Sequence, residues 1–99
     1  MNMQALMQQA QKMQKEMTKK KEELNKKNFN GTSELVDVVI TGDMKVVSVN
    51  IKNKESITVD DLEDIQDMTV IAINDAIGKV KAENENILGA YGSQFGGLF

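Results

Sequence analysis

The residues of this chain that could do chemistry are lysines, and most of them lie near its beginning. Residues 1–27 hold seven lysines against three glutamates, whereas residues 53–99 hold three lysines against nine acidic residues. Lysine binds a phosphate group as a point charge on a flexible stem. Uneven charge also allows a protein of net charge −3 to present one surface that attracts a polyanion. The candidate phosphate-binding residues are Lys12, Lys15, Lys19, Lys20, Lys21, Lys79 and Lys81. The alternative is that these lysines form an ordinary solvated face.

The residue types that are missing exclude most catalytic mechanisms. The chain has no histidine and no cysteine, so it lacks the most common general base, nucleophile and soft metal ligands. All twelve basic residues are lysine, so no arginine can recognise phosphate or guanine with two parallel hydrogen bonds. The sequence therefore predicts a protein that is not an enzyme and has no cofactor, metal or small-molecule substrate. Any polyanion binding is expected to be insensitive to sequence.

Five acidic residues form a second cluster, for which two explanations remain open. They are Asp60, Asp61, Glu63, Asp64 and Asp67. They could bind Mg²⁺ through their carboxylates. They could equally stabilise the positive end of a helix dipole, because they follow Thr58, which is a suitable N-cap. No calcium-loop pattern surrounds them, and we favour the second explanation.

Two long helices are predicted to flank a small antiparallel sheet, which is an α+β fold. In the first segment, Met3 to Lys27, apolar residues recur every three or four positions. The second helix begins near Thr58 and has more apolar residues than one stripe can hold. We therefore expect a homodimer. Its predicted interface residues are Val70, Ile73, Ile77 and Val80.

Between the helices, two β-branched segments predict a hairpin, with a two-residue turn at Gly42-Asp43. That turn would place Val38 opposite Val47 and Val36 opposite Val49. Residues 29–33 could add a short first strand.

The chain is expected to form one domain, residues 1–88, followed by a flexible tail, residues 89–99, which is rich in glycine and aromatic residues. No segment has the length of a membrane span or the pattern of a signal peptide, so no membrane is predicted as a partner. Both helices are longer than the strands, so their free ends are expected to project beyond the sheet as one prong.

The chain contains, in this order, MQQAQKMQKEM followed by EEL, the hairpin LVDVVITG with VVSVNI, DLEDIQDMTVIAINDAIGKV, and a terminal GLF. Together these segments resemble the YbaB/EbfC family of bacterial nucleoid-associated proteins. The resemblance covers about residues 3–80. The chain differs from the usual pattern of that family in two ways: its loop at residues 31–34 has fewer glycines, and it has no arginine.

This resemblance implies a tweezer-shaped homodimer that binds double-stranded DNA with little sequence preference in the cytoplasm, at the nucleoid. The alternative hypothesis is an adaptor for another protein, because methionine side chains repack easily around a partner. The methionines concerned are Met3, Met7, Met13 and Met17.

Overall fold

The chain folds as a long helix, three antiparallel strands and a second long helix. A computed structural model describes residues 2–95, with side chains up to Tyr91. The elements are α1 (Met3–Lys26), β1 (Asn28–Thr32), β2 (Val36–Thr41), β3 (Val46–Ile51) and α2 (Leu62–Phe95), with single 3₁₀ turns at Lys54–Ser56 and Val59–Asp61. This order confirms the predicted α+β class and the short first strand.

The sheet has the strand order β1-β2-β3, and its hairpin turn is one residue longer than predicted. The amide of Met44 donates to the carbonyl oxygen of Thr41 at 2.9 Å, and the amide of Thr41 donates to the carbonyl oxygen of Lys45 at 2.8 Å. Met44 takes a left-handed conformation, with φ of 67°. The loop therefore contains three residues, which is the next most common hairpin type after the two-residue loop.

The longer turn, with an irregularity between Val39 and Ile40, corrects the predicted strand register. Val38 pairs with Val49 instead of Val47, and Val36 pairs with Ile51 instead of Val49. Side chains alternate between faces with a period of two, so a two-residue offset keeps the same residues on the same face. Near the turn, Val46 pairs with Ile40. Val47 is therefore not the partner of Val38 that the two-residue turn predicted.

The core lies between α2 and the first two strands. Its buried residues include Val36, Val38 and Ile40 from β2 and Ala72 and Ala76 from α2, all at most 1% exposed. The backbone of β1 approaches α2 so closely that a Cβ atom added to Gly31 would lie 1.9 Å from the carbonyl oxygen of Ala72. One helix covers about two strands, because helices pack 8–10 Å from their neighbours and strands are 4.7–4.9 Å apart. Strand β3 therefore remains uncovered.

Helix α1 and the second half of α2 project from the sheet as an antiparallel pair, which we call the arm (α1 with residues 79–95). Lys27 meets Glu83 at the base of the arm, whereas Glu16 lines the same groove as Ala90 and Tyr91 further out. The molecule consequently measures 70 × 20 × 13 Å. The predicted prong is thus present in the single chain.

Both ends of α2 bear on the sequence predictions. Thr58 caps the helical segment as expected, through a reciprocal capping box with Asp61. At the other end, α2 continues to Phe95, so the predicted boundary after residue 88 does not coincide with a helix end. Flexibility of residues 89–99 stays a prediction, and residues 96–99 lie outside the described part of the chain.

Candidate functional site

The strongest candidate site is a row of four lysines on α1, which we call the lysine ridge (Lys12, Lys15, Lys19 and Lys26). At about 100° per residue they lie about 110–170° around the helix from the buried face of α1. That face is marked by Met13 and Leu24, which are 8% and 4% exposed. All four ridge lysines are exposed, and none forms an ion pair with any residue between 2 and 95. They therefore present positive charge to solvent along about 21 Å of helix, interrupted by Glu22, which lines the same shallow pocket as Lys15 and Lys19.

Two further predicted lysines lie together at the base of the arm, on another side of α1. Lys21 is half-buried and lines a small pocket that also contains Lys81, Asn25 and Asn84. The buried side chains of Leu24 and Val80 also line this pocket. Lys21 and Lys81 thus form a second pair of positive charges that is separate from the ridge.

Lys20 and Lys27 are paired with acidic side chains, although not at the i,i+4 spacing that favours such pairs on an exposed helix. Glu16, Glu22 and Glu23 each precede a lysine by four residues. In the structure Lys20 pairs instead with Glu23, three residues away, at 3.7 Å.

The ammonium of Lys27 contacts both carboxylate oxygens of Glu83 at 3.0 Å and lies 5.4 Å from the ring centroid of Phe29. No local spacing pattern could reveal this contact, since Glu83 is 56 residues away in sequence.

Lys79 does not extend the ridge toward the end of the arm. Its ammonium donates to the carbonyl oxygen of Asn30 at 2.6 Å and lies 3.6 Å from a carboxylate oxygen of Asp75. The same Asp75 oxygen accepts a hydrogen bond from the amide of Thr32 at 3.0 Å. Lys79 is therefore bound to the backbone of β1 at the base of the arm, away from the lysine ridge.

The acidic cluster found in the sequence lies away from the lysine ridge. Asp60, Asp61 and the acidic residues after them lie at the N-terminal end of α2, whereas the arm contains its C-terminal end. Within residues 2–95, no group of three or more potential metal-binding side chains is close enough to hold an ion.

In the sheet, the hydroxyl of Thr32 and then the ammonium of Lys52 lower the pKa of Asp37 below its ordinary value of 3.8.

The predicted interface residues on α2 are in different environments. Val70 is 58% exposed, and Ile73 and Ile77 are half-buried at the edge of the core. Val80 is only 2% exposed, because it packs within the core of its own chain. The structure therefore removes Val80 from any surface available to a second copy.

The remaining three residues face the uncovered strand. Asp75 marks the flank of α2 that contacts β1, and Val70, Ile73 and Ile77 lie about 160–220° from it around the helix. This second flank points toward β3, where the side chains of Val46 and Val49 are 52% and 48% exposed. We call these five apolar residues the β3-side patch; they are Val46, Val49, Val70, Ile73 and Ile77.

The methionines of α1 are only partly used in packing. Met13 is buried and Met17 half-buried, as expected for contact with α2. Met3 and Met7, near the free end of the arm, are 73% and 60% exposed. Met3 and Met7 are therefore the methionines of α1 that remain exposed for the adaptor hypothesis.

Comparison with known proteins gives consistent matches over nearly the whole chain. A family model described as the YbaB/EbfC DNA-binding family matches residues 1–95. A nucleoid-associated protein of Streptococcus agalactiae (serotype III, strain NEM316) is 45% identical over 93 residues, which cover 92% of this chain and 93% of the relative. Nucleoid-associated proteins of Ligilactobacillus salivarius and Enterococcus faecalis are 40% and 44% identical, covering 99% and 91% of this chain and 95% and 88% of those proteins. Separately, no helix within residues 2–95 is long and apolar enough to cross a membrane.

Proposed function

Because the chain belongs to the YbaB/EbfC DNA-binding family, we propose that it is a nucleoid-associated protein that binds duplex DNA through the lysines of its arm. Family membership confirms the resemblance seen in the sequence. It also confirms that the chain is not an enzyme, since this family is a family of DNA-binding proteins. The expected location is accordingly the nucleoid, and hence the cytoplasm of a bacterial cell.

The lysine ridge is the observation that supports this mechanism most directly. Its four ammonium groups are exposed on the side of α1 that faces away from α2. A ridge of about 21 Å matches the axial length of about six base pairs, at 3.4 Å per base pair. Each lysine that neutralises a phosphate releases condensed counterions, which is the main source of non-specific affinity for DNA.

The same chemistry implies little preference among DNA sequences. Base edges are read best by side chains that form two hydrogen bonds, such as arginine with guanine. The chain has no arginine, and the residues that neighbour the ridge lysines on α1 include several Gln and Glu. We therefore propose that phosphate contacts set both the position and the strength of binding.

We further propose that two copies associate through the β3-side patch. The patch combines one flank of a helix with an uncovered sheet face, so its apolar side chains gain by packing against the same surface of a second copy. Such a pair would place two arms, and two lysine ridges, in one particle. This arrangement is consistent with the tweezer shape that the resemblance implies.

A mobility-shift assay on several unrelated duplexes, repeated over a series of salt concentrations, tests the proposed function. We expect affinities within about tenfold of one another, far below the 10³ or more of specific binding. Log affinity is expected to fall linearly with log salt. A thousandfold preference for one duplex would refute the phosphate mechanism. Absence of binding at low salt would favour the adaptor hypothesis.

A further inference from the structure

The two edges of the sheet differ in a way that bears on self-association. In an antiparallel pair, successive residues alternate between bonding the neighbouring strand and pointing their backbone groups away from it. The carbonyl of Lys27 accepts from Gly42, and the amide of Ser33 donates to Val36, so odd-numbered residues of β1 bond β2. Even-numbered residues of β1 therefore point their amide and carbonyl groups toward the free edge.

Side chains of α2 occupy two of these outward groups on β1. The carbonyl oxygen of Asn30 accepts from the Lys79 ammonium at 2.6 Å, and the amide of Thr32 donates to the Asp75 carboxylate at 3.0 Å. Asp75 and Lys79 are one helical turn apart and lie 3.6 Å from each other. The Lys79 ammonium and the Asp75 carboxylate thus occupy the two backbone groups that an added strand would have to bond.

The opposite edge, on β3, has no such cover. The amide of Lys52 donates to the carbonyl of Leu35, so even-numbered residues of β3 bond β2 beyond the irregularity, and Val49 and Ile51 point their backbone groups outward. No side chain within the described part of the chain bonds those outward groups. Val47 and Val49 are also 58% and 48% exposed on this edge.

We infer that Asp75 and Lys79 close the β1 edge of the sheet against strand addition, so that self-association is confined to the β3 side. An exposed row of unpaired amides and carbonyls is a template for pairing with another chain. With two open edges, copies could add at both sides without limit. With one closed edge, association through the other stops at a pair. The inference uses the proposed self-association but not the proposed DNA binding.

The test compares the double variant D75A/K79A with wild type by light scattering after size exclusion, over concentrations from micromolar to about millimolar. The matched control is N74A/K81A, which changes two exposed neighbours on α2 that form no hydrogen bond to β1. We expect the double variant to exceed the wild-type mass by at least twofold at the upper concentrations, whereas the control keeps the wild-type mass. This holds whether wild type is a monomer or a dimer.

Hydrogen exchange at the Thr32 amide gives an independent measurement. Exchange is expected to be faster in D75A than in wild type, and to be slowed again in D75N, whose side-chain amide oxygen can still accept the bond. If D75A/K79A does not fold, the single variant K79A replaces it in the mass measurement, with the same expected increase. A folded variant with wild-type mass at every concentration would overturn the inference. So would equal Thr32 exchange in all three proteins.

Discussion

Replacing three ridge lysines with glutamine, K12Q/K15Q/K19Q, tests the proposed mechanism most sharply. Glutamine has nearly the same helix propensity as lysine. The three side chains are exposed and form no ion pair within residues 2–95, so the free energy of unfolding is expected to change little. DNA affinity is expected to fall equally on every duplex.

The size of the effect follows from the number of charges removed. Each lost phosphate contact makes the slope of log affinity against log salt shallower by about 0.9, so the variant loses up to about 2.7 per chain. Between 50 and 200 mM salt, a slope difference of that size corresponds to about 40-fold. Wild type is therefore expected to lose up to about 40-fold more affinity than the variant over this range, for each chain that contacts DNA.

The control is K45Q/K54Q, which removes two charges from exposed lysines outside the arm and is compared with the double ridge variant K12Q/K15Q as well as with the triple variant. Fluorescence anisotropy with one labelled duplex, measured at four or five salt concentrations, gives both slopes. Because these lysines do not belong to the ridge, the control is expected to keep most of the wild-type slope. Equal slopes for wild type and the ridge variant would show that the ridge is only a solvated face. Equal losses in both variants would show that net charge, and not the ridge, sets the affinity.

Three further predictions concern stability and assembly. Gly31→Ala is expected to lower the free energy of unfolding by about 1–3 kcal/mol or more, because its Cβ would lie 1.9 Å from a backbone oxygen of α2. Gly78→Ala, whose Cβ would meet nothing within 4 Å, is expected to raise the free energy of unfolding by about 0.5–1 kcal/mol. Urea denaturation of both variants measures the two changes. Val70→Asp is expected to keep the wild-type circular dichroism but halve the mass in solution, since Val70 is exposed in the single chain and belongs to the β3-side patch; a dimer of unchanged affinity would exclude this surface. Asp37→Asn is expected to be less stable than wild type at neutral pH, with the difference disappearing as pH falls below about 3.8, because a lowered pKa stabilises the fold only while the carboxylate is charged; a difference independent of pH would contradict this.

The fold was predictable because its signals are local. The heptad spacing in α1, the β-branched segments and the Thr58 cap each act over a few residues, and all three are present in the structure. The hairpin register was not predictable in the same way. Gly42-Asp43 is a standard two-residue turn signal, but Met44 adopts φ of 67°, a conformation that favours glycine and rarely accepts methionine. The third loop residue shifts the strand pairing by one residue, and the irregularity between Val39 and Ile40 shifts it by one more.

The same difference between local and long-range contacts decided which parts of the candidate site were predictable. Exposure of Lys12, Lys15 and Lys19 follows from their position opposite the apolar seam of the same helix, so the sequence placed them correctly. The role of Lys79 depends on β1, which is 49 residues away in sequence, and that of Lys27 depends on Glu83. Single-sequence periodicity contains no information about such contacts. For the same reason the sequence predicted Val80 as an interface residue, although it is buried in the core of its own chain.

The contacts at the base of the arm help to set the angle at which α1 projects from the sheet. Its 24 residues span about 36 Å, so a tilt of about 10° at the base would move the free end by about 6 Å. The joint is fixed on one side by the tight approach of Gly42 to the carbonyl of Leu24 and on the other by the exposed Lys27–Glu83 ion pair. Salt screens an exposed ion pair, whereas it leaves a steric contact unchanged. Ionic strength would then act twice on this molecule: it weakens each contact between the ridge and a phosphate, and it weakens one of the contacts that hold α1 at the base of the arm.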